Sequence, residues 1–387
     1  MIKPKIALLT QWYLPGNNAG GPVRSIFSLV EFLKSEFEFY IITTNTDLNS
    51  TLPYKNIKQN EWFVENKVNY YYHNTSTLLA SDVIKNIQSI NPNLIYLNSF
   101  WSWKFSLNIL KNKKAFNCSI LLAPRGMLSL GALKIKSPKK KLFFILSKLL
   151  NWHNSIYFQA SSQIEEKEII SKYPNSKVYI LPNISSFSAI ISNKNKTVNE
   201  LNLFYLSRIA KVKNLHLALT YLKSVSPQYK INYSIYGNIE DQNYWEHCLQ
   251  LINELPVNIN VKHKGNIPFN KVQTTLMNED CLLLPTMNEN FGHSIVESLL
   301  SSCPVIISNN TPWLDLEKEN VGFNFNENNA TAFVKSIEYY ASLPSEKFFE
   351  IRKSCNLYIS NKLNLEGTIN NYKNSFNECI KNRLKYI

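Results

Sequence analysis

Cys281-Leu282-Leu283-Leu284, then Pro285-Thr286-Met287-Asn288-Glu289-Asn290-Phe291-Gly292-His293-Ser294-Ile295-Val296-Glu297, is the stretch that decides the fold. An apolar run of four leads into a polar loop with one glycine. Leu299, Leu300, Cys303 and Pro304 then carry the chain to a second apolar run, Val305–Ile307. The order is buried strand, loop, short helix, buried strand, which is the layout of a parallel α/β unit. Two carboxylates, Glu289 and Glu297, bracket the turn that opens the helix. Such a turn offers backbone N–H groups and the positive end of a helix dipole to an anion. A bare phosphate would be repelled by the acidic pair, so the matching targets of the carboxylates are hydroxyls, those of a ribose and a sugar. Phosphate and hydroxyls together describe a nucleotide sugar.

Working outward, the second half repeats this unit. Strands are expected at Leu203–Leu206, Asn232–Tyr236 (closed by Gly237), Ile259–Lys262 and Cys281–Leu284. Helices are expected at Leu215–Lys223, Tyr244–Asn253 and Lys271–Met277. The first half alternates in the same way, with strands at Ile6–Thr10, Phe39–Thr43, Leu94–Leu97, Ile120–Ala123 and Tyr157–Ala160. A helix is expected after Gly20, running to Lys34. Alternation of this kind predicts doubly wound parallel sheets. A chain of 387 residues suits two domains better than one core. Pro182-Asn183, followed by a polar, irregular stretch from Ser185 to Asn202, marks the boundary. The expected organisation is a first domain over 1–183, a second over 184–364, and a helical segment over 365–387 that crosses back to the first. Two such halves facing each other make a cleft at the strand carboxyl ends.

The net charge of +14 favours an anionic partner, such as a nucleotide, an anionic membrane or nucleic acid. An Asn-, Lys- and Ile-rich composition also fits an AT-rich genome, a source of positive charge without function. The six cysteines form no CxxC pair, and Cys281 and Cys303 sit in apolar runs, which suits core thiols in a reducing compartment. No apolar run approaches the ~18 residues of a membrane span, and a cytoplasmic protein is expected. The six histidines have no metal-ligand spacing, so neither metal nor cofactor is expected.

Other candidate sites each carry a plainer reading. Gly20-Gly21-Pro22-Val23-Arg24-Ser25 opens the first helix and is either a binding loop or a structural turn. Arg208 and Lys213 in Ser207-Arg208-Ile209-Ala210-Lys211-Val212-Lys213-Asn214 leave a strand end and either clamp a diphosphate or form a solvated basic loop. Arg125, after the strand ending at Ala123, either faces the cleft or is structural. In Lys134 to Leu150, lysines interleave with Leu142, Phe143, Phe144, Ile145, Leu149 and Leu150. That pattern fits a peripheral contact with an anionic membrane, or an amphipathic helix packed on the sheet. Tyr70-Tyr71-Tyr72 and Trp101-Ser102-Trp103 are aromatic clusters that stack on sugars or fill the core.

Taken together, these residues resemble the retaining glycosyltransferases of family 4 and the GT-B architecture, two facing Rossmann-like domains. The likeness runs over the whole chain and is strongest from Leu203 to Trp313. Glu289 and Glu297 match the family's E-x7-E signature, and Phe204-Tyr205-Leu206-Ser207-Arg208 with Lys213 resembles its diphosphate clamp. Gly265-Asn266-Ile267 resembles the loop that passes the nucleotide base. The resemblance implies that Glu297 binds ribose hydroxyls and Glu289 binds sugar hydroxyls, with backbone N–H groups at Asn290, Phe291 and Gly292. It implies that Arg208 and Lys213 hold the diphosphate and stabilise the leaving group without a metal. It places Gly20, Gly21, Arg125, Gly237, Asn266 and Ile267 among the donor-binding residues. The sequence departs from the family at Ala123-Pro124-Arg125-Gly126, where many relatives carry a histidine, and at Ser298, where an alanine is usual.

The expected function is transfer of a sugar from a nucleotide-sugar donor, UDP- or GDP-linked, with retention. The acceptor is a saccharide or lipid-linked saccharide of a surface polysaccharide (O-antigen, capsule or lipopolysaccharide). In the front-face route that the resemblance favours, the acceptor hydroxyl passes its proton to the departing phosphate, and no enzymic base is assigned. Two alternatives stand beside it: a nucleotide-sugar 2-epimerase of the same fold, and a basic nucleic-acid-binding protein. The second lacks any concentrated basic tail, zinc finger or RNP-like motif.

Overall fold

The computed structural model describes all residues except 1, 17, 130–132, 134–136 and 384–387, and within one helix the side chains of 137, 139 and 141. The chain divides into two compact units: Met1–Ser186 with Leu365–Ile387, and Phe187–Asn364.

The first unit is built on eight strands: β1 (Lys5–Leu9), β2 (Glu38–Thr44), β3 (Trp62–Glu65), β4 (Val68–His73), β5 (Leu94–Leu97), β6 (Ser119–Leu122), β7 (Tyr157–Ala160) and β8 (Lys177–Ile180). Their order in the sheet is β3-β4-β2-β1-β5-β6-β7-β8. All neighbours are parallel except β3, which pairs antiparallel with β4 at the edge. β1, β5, β6 and β7 read as almost uninterrupted apolar runs because both faces of a parallel sheet are covered. One face packs Val83, Ile87 and Ile90 of the helix Ala80–Ile90. The other packs Ile26, Leu29, Val30 and Leu33 of the helix Gly21–Leu33. Tyr372, Phe376 and Cys379 of the C-terminal helix Leu365–Lys381 complete that second face. Ser119 Oγ donates to the Cys379 carbonyl at 2.6 Å, fixing that helix to β6. Full burial of Phe376 alone is worth about 2 kcal/mol.

β3 and β4 place the tyrosine triplet. Tyr70 and Tyr72 stack with Phe63 at 5.6 and 6.0 Å, so these rings serve packing across two strands. Neither strand is expected from the sequence, because the run is polar-aromatic rather than aliphatic.

The second unit has six strands: β9 (Glu200–Leu206), β10 (Lys230–Tyr236), β11 (Ile259–Gly265), β12 (Cys281–Leu284), β13 (Val305–Ser308) and β14 (Gly322–Phe325). They are ordered β11-β10-β9-β12-β13-β14, all parallel. The strand order reverses between β9 and β12. The chain loops after these two strands therefore leave the sheet side by side at the topological switch point, where α/β sheets hold ligands. β14 and the helices Ala330–Ser342 and Ser345–Leu363 have no counterpart among the sequence expectations. All six cysteines are free and buried, as core thiols. No described helix is long and apolar enough to cross a membrane.

Candidate active site

In the second unit, one backbone and one side-chain hydrogen bond tie the two switch-point loops together. Met287 N donates to Val212 O at 2.9 Å, and Asn214 Nδ2 donates to Pro285 O at 2.9 Å. Asn214 adopts φ +53 at the start of the helix Leu215–Lys223, a left-handed conformation that asparagine tolerates. The 3₁₀ turn Lys211–Lys213 is thereby held against the loop that carries Glu289. The consequence is an ion pair: Lys213 Nζ lies 2.6 Å from Glu289 Oε1, with both side chains only 13% and 14% exposed. A shielded, hydrogen-bonded pair is a stronger interaction than a surface one.

Arg208 is placed by the end of β9. Ser207 N still pairs with Tyr236 O at 3.0 Å, and the buried Tyr205 hydroxyl donates to the Arg208 carbonyl at 2.8 Å. Its guanidinium forms an ion pair with Glu240, a residue that sequence reasoning missed because nothing marks it. The pair borders an open depression lined by residues 210–212 and 240–243. Gly237 has φ +150, and a Cβ there would come 1.9 Å from the Ser207 carbonyl oxygen. Glycine is therefore required where β9 and β10 end together. Beside it, His263 Nε2 lies 2.9 Å from the Gly237 carbonyl.

The loop after β12 ends in the helix His293–Leu300. Gly292 caps it at φ +76, and a Cβ there would sit 2.8 Å from Ile295 Cδ1. Trp313 Nε1 donates to the Phe291 carbonyl at 2.7 Å, and Glu289 N donates to Asn310 O at 3.0 Å. Ser294 Oγ donates to the Leu206 carbonyl, tying the helix start to the end of β9. The first turn of that helix thus points its N–H groups to the side of the sheet where Arg208 and Lys213 emerge. Glu297 lies on the same helix and is 2% exposed. Asn266 is exposed, whereas the Ile267 side chain is buried in the unit's apolar core. The structure thus brings Lys213 and Glu289 into contact, with Arg208 and Gly237 just after the ends of β9 and β10 and Gly292 at the start of the helix His293–Leu300. Trp313 and Asn310 support them at positions that no motif marks, and Ser294 does so from within the Glu289–Glu297 stretch.

Gly20, Gly21 and Arg125 belong to the first unit. Gly20 (φ +65) precedes the helix Gly21–Leu33 that follows β1. Arg125 Nε donates to Asn98 Oδ1 at 2.6 Å and its Nη2 donates to the Tyr96 hydroxyl at 2.7 Å, while Nη1 reaches Asn183 Oδ1. Tyr96 in turn donates to Gln159 Oε1 at 2.6 Å, and Gln159 Nε2 donates to the Tyr372 hydroxyl at 2.7 Å. Arg125 is the head of a buried polar network joining β5, β7, the interdomain segment and the C-terminal helix.

The fold is the GT-B architecture of glycosyltransferases, two Rossmann-like α/β units in one chain. Residues 186–358, nearly all of the second unit, match the family model described as "Glycosyl transferases group 1". No curated protein matches the chain in sequence. Among solved structures it is similar to sucrose-phosphate synthase from Thermosynechococcus elongatus (TM-score 0.70, 14% identity, 97% of this chain and 99% of that one). Anabaena Alr3699/HepE in complex with UDP and glucose is also similar (0.66, 16%, 97% and 100%). So is WaaG, a glycosyltransferase involved in lipopolysaccharide biosynthesis (0.65, 12%, 94% and 97%).

Proposed function

We propose that the protein is a retaining, metal-independent glycosyltransferase of family 4. It would move a sugar from a UDP- or GDP-linked donor to a saccharide or lipid-linked acceptor of a surface polysaccharide such as O-antigen, capsule or lipopolysaccharide. The observation that carries this reading is the convergence of Arg208, Lys213, Glu289 and the Gly292 turn at the switch point of the second sheet. Arg208 and Lys213 hold the diphosphate and stabilise the charge that grows on it as the glycosidic bond breaks. Before donor arrives, Glu240 and Glu289 occupy the two cations, so donor binding exchanges carboxylate for phosphate. Glu289 then turns to sugar hydroxyls, Glu297 to the ribose, and the N–H groups of Asn290, Phe291 and Gly292 to oxygens of the donor. Gly237, Asn266 and the backbone of Ile267 border the base. Gly20 and Gly21, at the start of the first unit's helix Gly21–Leu33, are donor-binding candidates in their own unit, and Arg125 acts there as a positioning residue. The acceptor hydroxyl attacks the anomeric carbon and its proton passes to the departing phosphate oxygen.

The helix Ser137–Leu149 supports a peripheral contact with an anionic membrane. Phe143 and Phe144 pack inward. Leu142, Ile145, Leu146, Leu149 and Leu150 form an outward stripe, each 47–73% exposed. Lys134 and Lys136 of the expected basic segment lie outside the described residues, as do the side chains of Lys139 and Lys141.

The test is a panel of labelled UDP- and GDP-sugars with lipid-linked acceptors, the product linkage read by NMR. An α-donor giving an α-product supports the assignment, and a β-product removes the retaining mechanism. Free sugar appearing from the donor alone as its 2-epimer would replace transfer with epimerisation.

A further inference from the structure

We propose that the depression between Lys111–Ala115 and Leu149–Trp152 seats the phosphate headgroup of an anionic membrane lipid. The proposal rests on the membrane reading above and adds a defined binding site to it. Its lining combines the exposed Lys111 and Lys114 with Asn112, and the apolar Leu149 and Leu150 with the half-buried Trp152 indole. Cations on one wall and aliphatic side chains on the other are the two halves of an interfacial lipid site.

Three observations place a lipid there. The first is charge. Between Asp82 and Glu165 the sequence has twelve Lys and Arg and not one Asp or Glu. The rest of the chain holds thirty cations to twenty-eight carboxylates, so nearly all of the +14 resides in this segment. An AT-rich codon bias does not exclude Asp and Glu, so the exclusion of acids calls for a physical reason. A surface that meets anionic headgroups supplies one.

The second is what Lys113 does beneath the depression. Its Nζ donates to the carbonyls of Asn151, at 2.7 Å, and Asn154. It joins the two walls and caps carbonyl oxygens that would otherwise repel a phosphate. The third is the rim. The outward stripe from Leu142 to Leu150 runs down to the depression. Trp103, 49% exposed, lies 6.4 Å from Trp152. Indoles of this kind sit at the headgroup level of bilayers. The aliphatic stripe would enter the acyl region while Lys111 and Lys114 hold the phosphate above it.

The experiment measures binding of the full chain to vesicles of phosphatidylcholine alone and with one-fifth phosphatidylglycerol, at fixed salt. Two charge-matched variants are compared: Lys111→Ala with Lys114→Ala, and Lys85→Ala with Lys148→Ala. The second pair comes from the same acid-free segment but lies outside the depression. Diffuse attraction costs about fivefold per lysine near the membrane surface, whichever lysine it is, and decays within a Debye length. The expected result is a loss of phosphatidylglycerol preference at least tenfold greater for the Lys111/Lys114 variant. Equal losses would overturn the headgroup site and leave the membrane contact standing. Failure of the wild-type chain to bind either vesicle would sink both. In a second arm, soluble dihexanoyl phosphatidylglycerol below its micelle concentration is titrated against the tryptophan fluorescence. Saturation by the lipid but not by glycerol phosphate is expected. Equal affinity for both would make this a site for free phosphate and overturn the lipid assignment. Circular dichroism melts of both variants confirm that the fold is kept.

Discussion

Arg125 and Lys213 both follow a buried parallel strand by a few residues, and in the sequence they look alike. In the structure they are opposites. Arg125 is surrounded by its own unit, with its guanidinium on Tyr96, Asn98 and Asn183. Among the described residues Lys213 makes a single charged contact, to Glu289, the carboxylate proposed to meet substrate hydroxyls. A cation satisfied by several fixed neutral groups holds a fold together. A cation paired with one carboxylate at a switch point can exchange that partner for a phosphate. The difference lies in how many partners must be broken for the residue to act.

The most direct way to break the comparison is to truncate both. Lys213→Ala removes one of the two groups proposed to face charge developing on a leaving diphosphate. Loss of one such electrostatic group typically costs about 10²–10³ in rate, and a fall of that size in kcat/KM for the donor is expected. Stability should fall less than for Arg125, since one shielded contact is lost rather than a network. Donor kinetics within twofold of wild type would remove the diphosphate role.

Arg125→Ala should do the reverse. Removing it leaves the Tyr96, Asn98 and Asn183 groups without their shared donor, a loss of about 3 kcal/mol by analogy with broken buried networks. The measurement is urea denaturation of the full chain, followed by donor affinity under native conditions. If stability holds while donor affinity falls, Arg125 contacts the donor and the two cations are alike after all.

How much of this contrast was legible in the sequence depends on the range of the contacts. The parallel strands were, because runs such as Cys281–Leu284 and Leu94–Leu97 are apolar throughout and need no partner to be recognised. The Lys213 loop and the Glu289 loop could be singled out because each directly follows such a run. What joins them could not: Met287 to Val212 and Asn214 to Pro285 are backbone and amide contacts across some seventy residues. Arg125 was ambiguous for the same reason, its partners lying 27–58 residues away. β3 and β4 were missed because Tyr70 to Tyr72 alternate aromatic faces with polar edges, which reads equally as a sugar platform.

A third substitution tests whether the site depends on strand geometry rather than on charge alone. Gly237→Ala would bring a Cβ against the Ser207 carbonyl, a backbone atom that cannot rotate away. Overpacking and an unfavourable φ together should cost about 2 kcal/mol. Since Ser207 precedes Arg208, donor affinity should fall as well, while Lys213–Glu289 stays intact. A melting temperature unchanged within a degree would show that the ends of β9 and β10 are softer than the close approach implies.

The smallest effect sharpens the comparison from the side of the first unit. His153 lies between Phe100 at 5.0 Å and Tyr173 at 4.8 Å, and neither of its ring nitrogens has a hydrogen-bond partner among the described residues. Burial, with a further push from Lys113, takes its pKa down to about 3. The unfolded chain binds the proton near pH 6.5. Between these values the unfolded state carries a proton that the native state refuses. Stability is therefore full above about pH 6.5 and declines as the pH falls toward 3. His73, lowered to about 4 mainly by burial, acts in the same direction. His153→Phe keeps the ring stack and removes the titration. It should melt within a few degrees of wild type at pH 7.5 and lose less stability at pH 5, with the remaining slope owed to His73. An unchanged acid slope would mean that water reaches the imidazole, and that this aromatic core is looser than the one that holds Arg125.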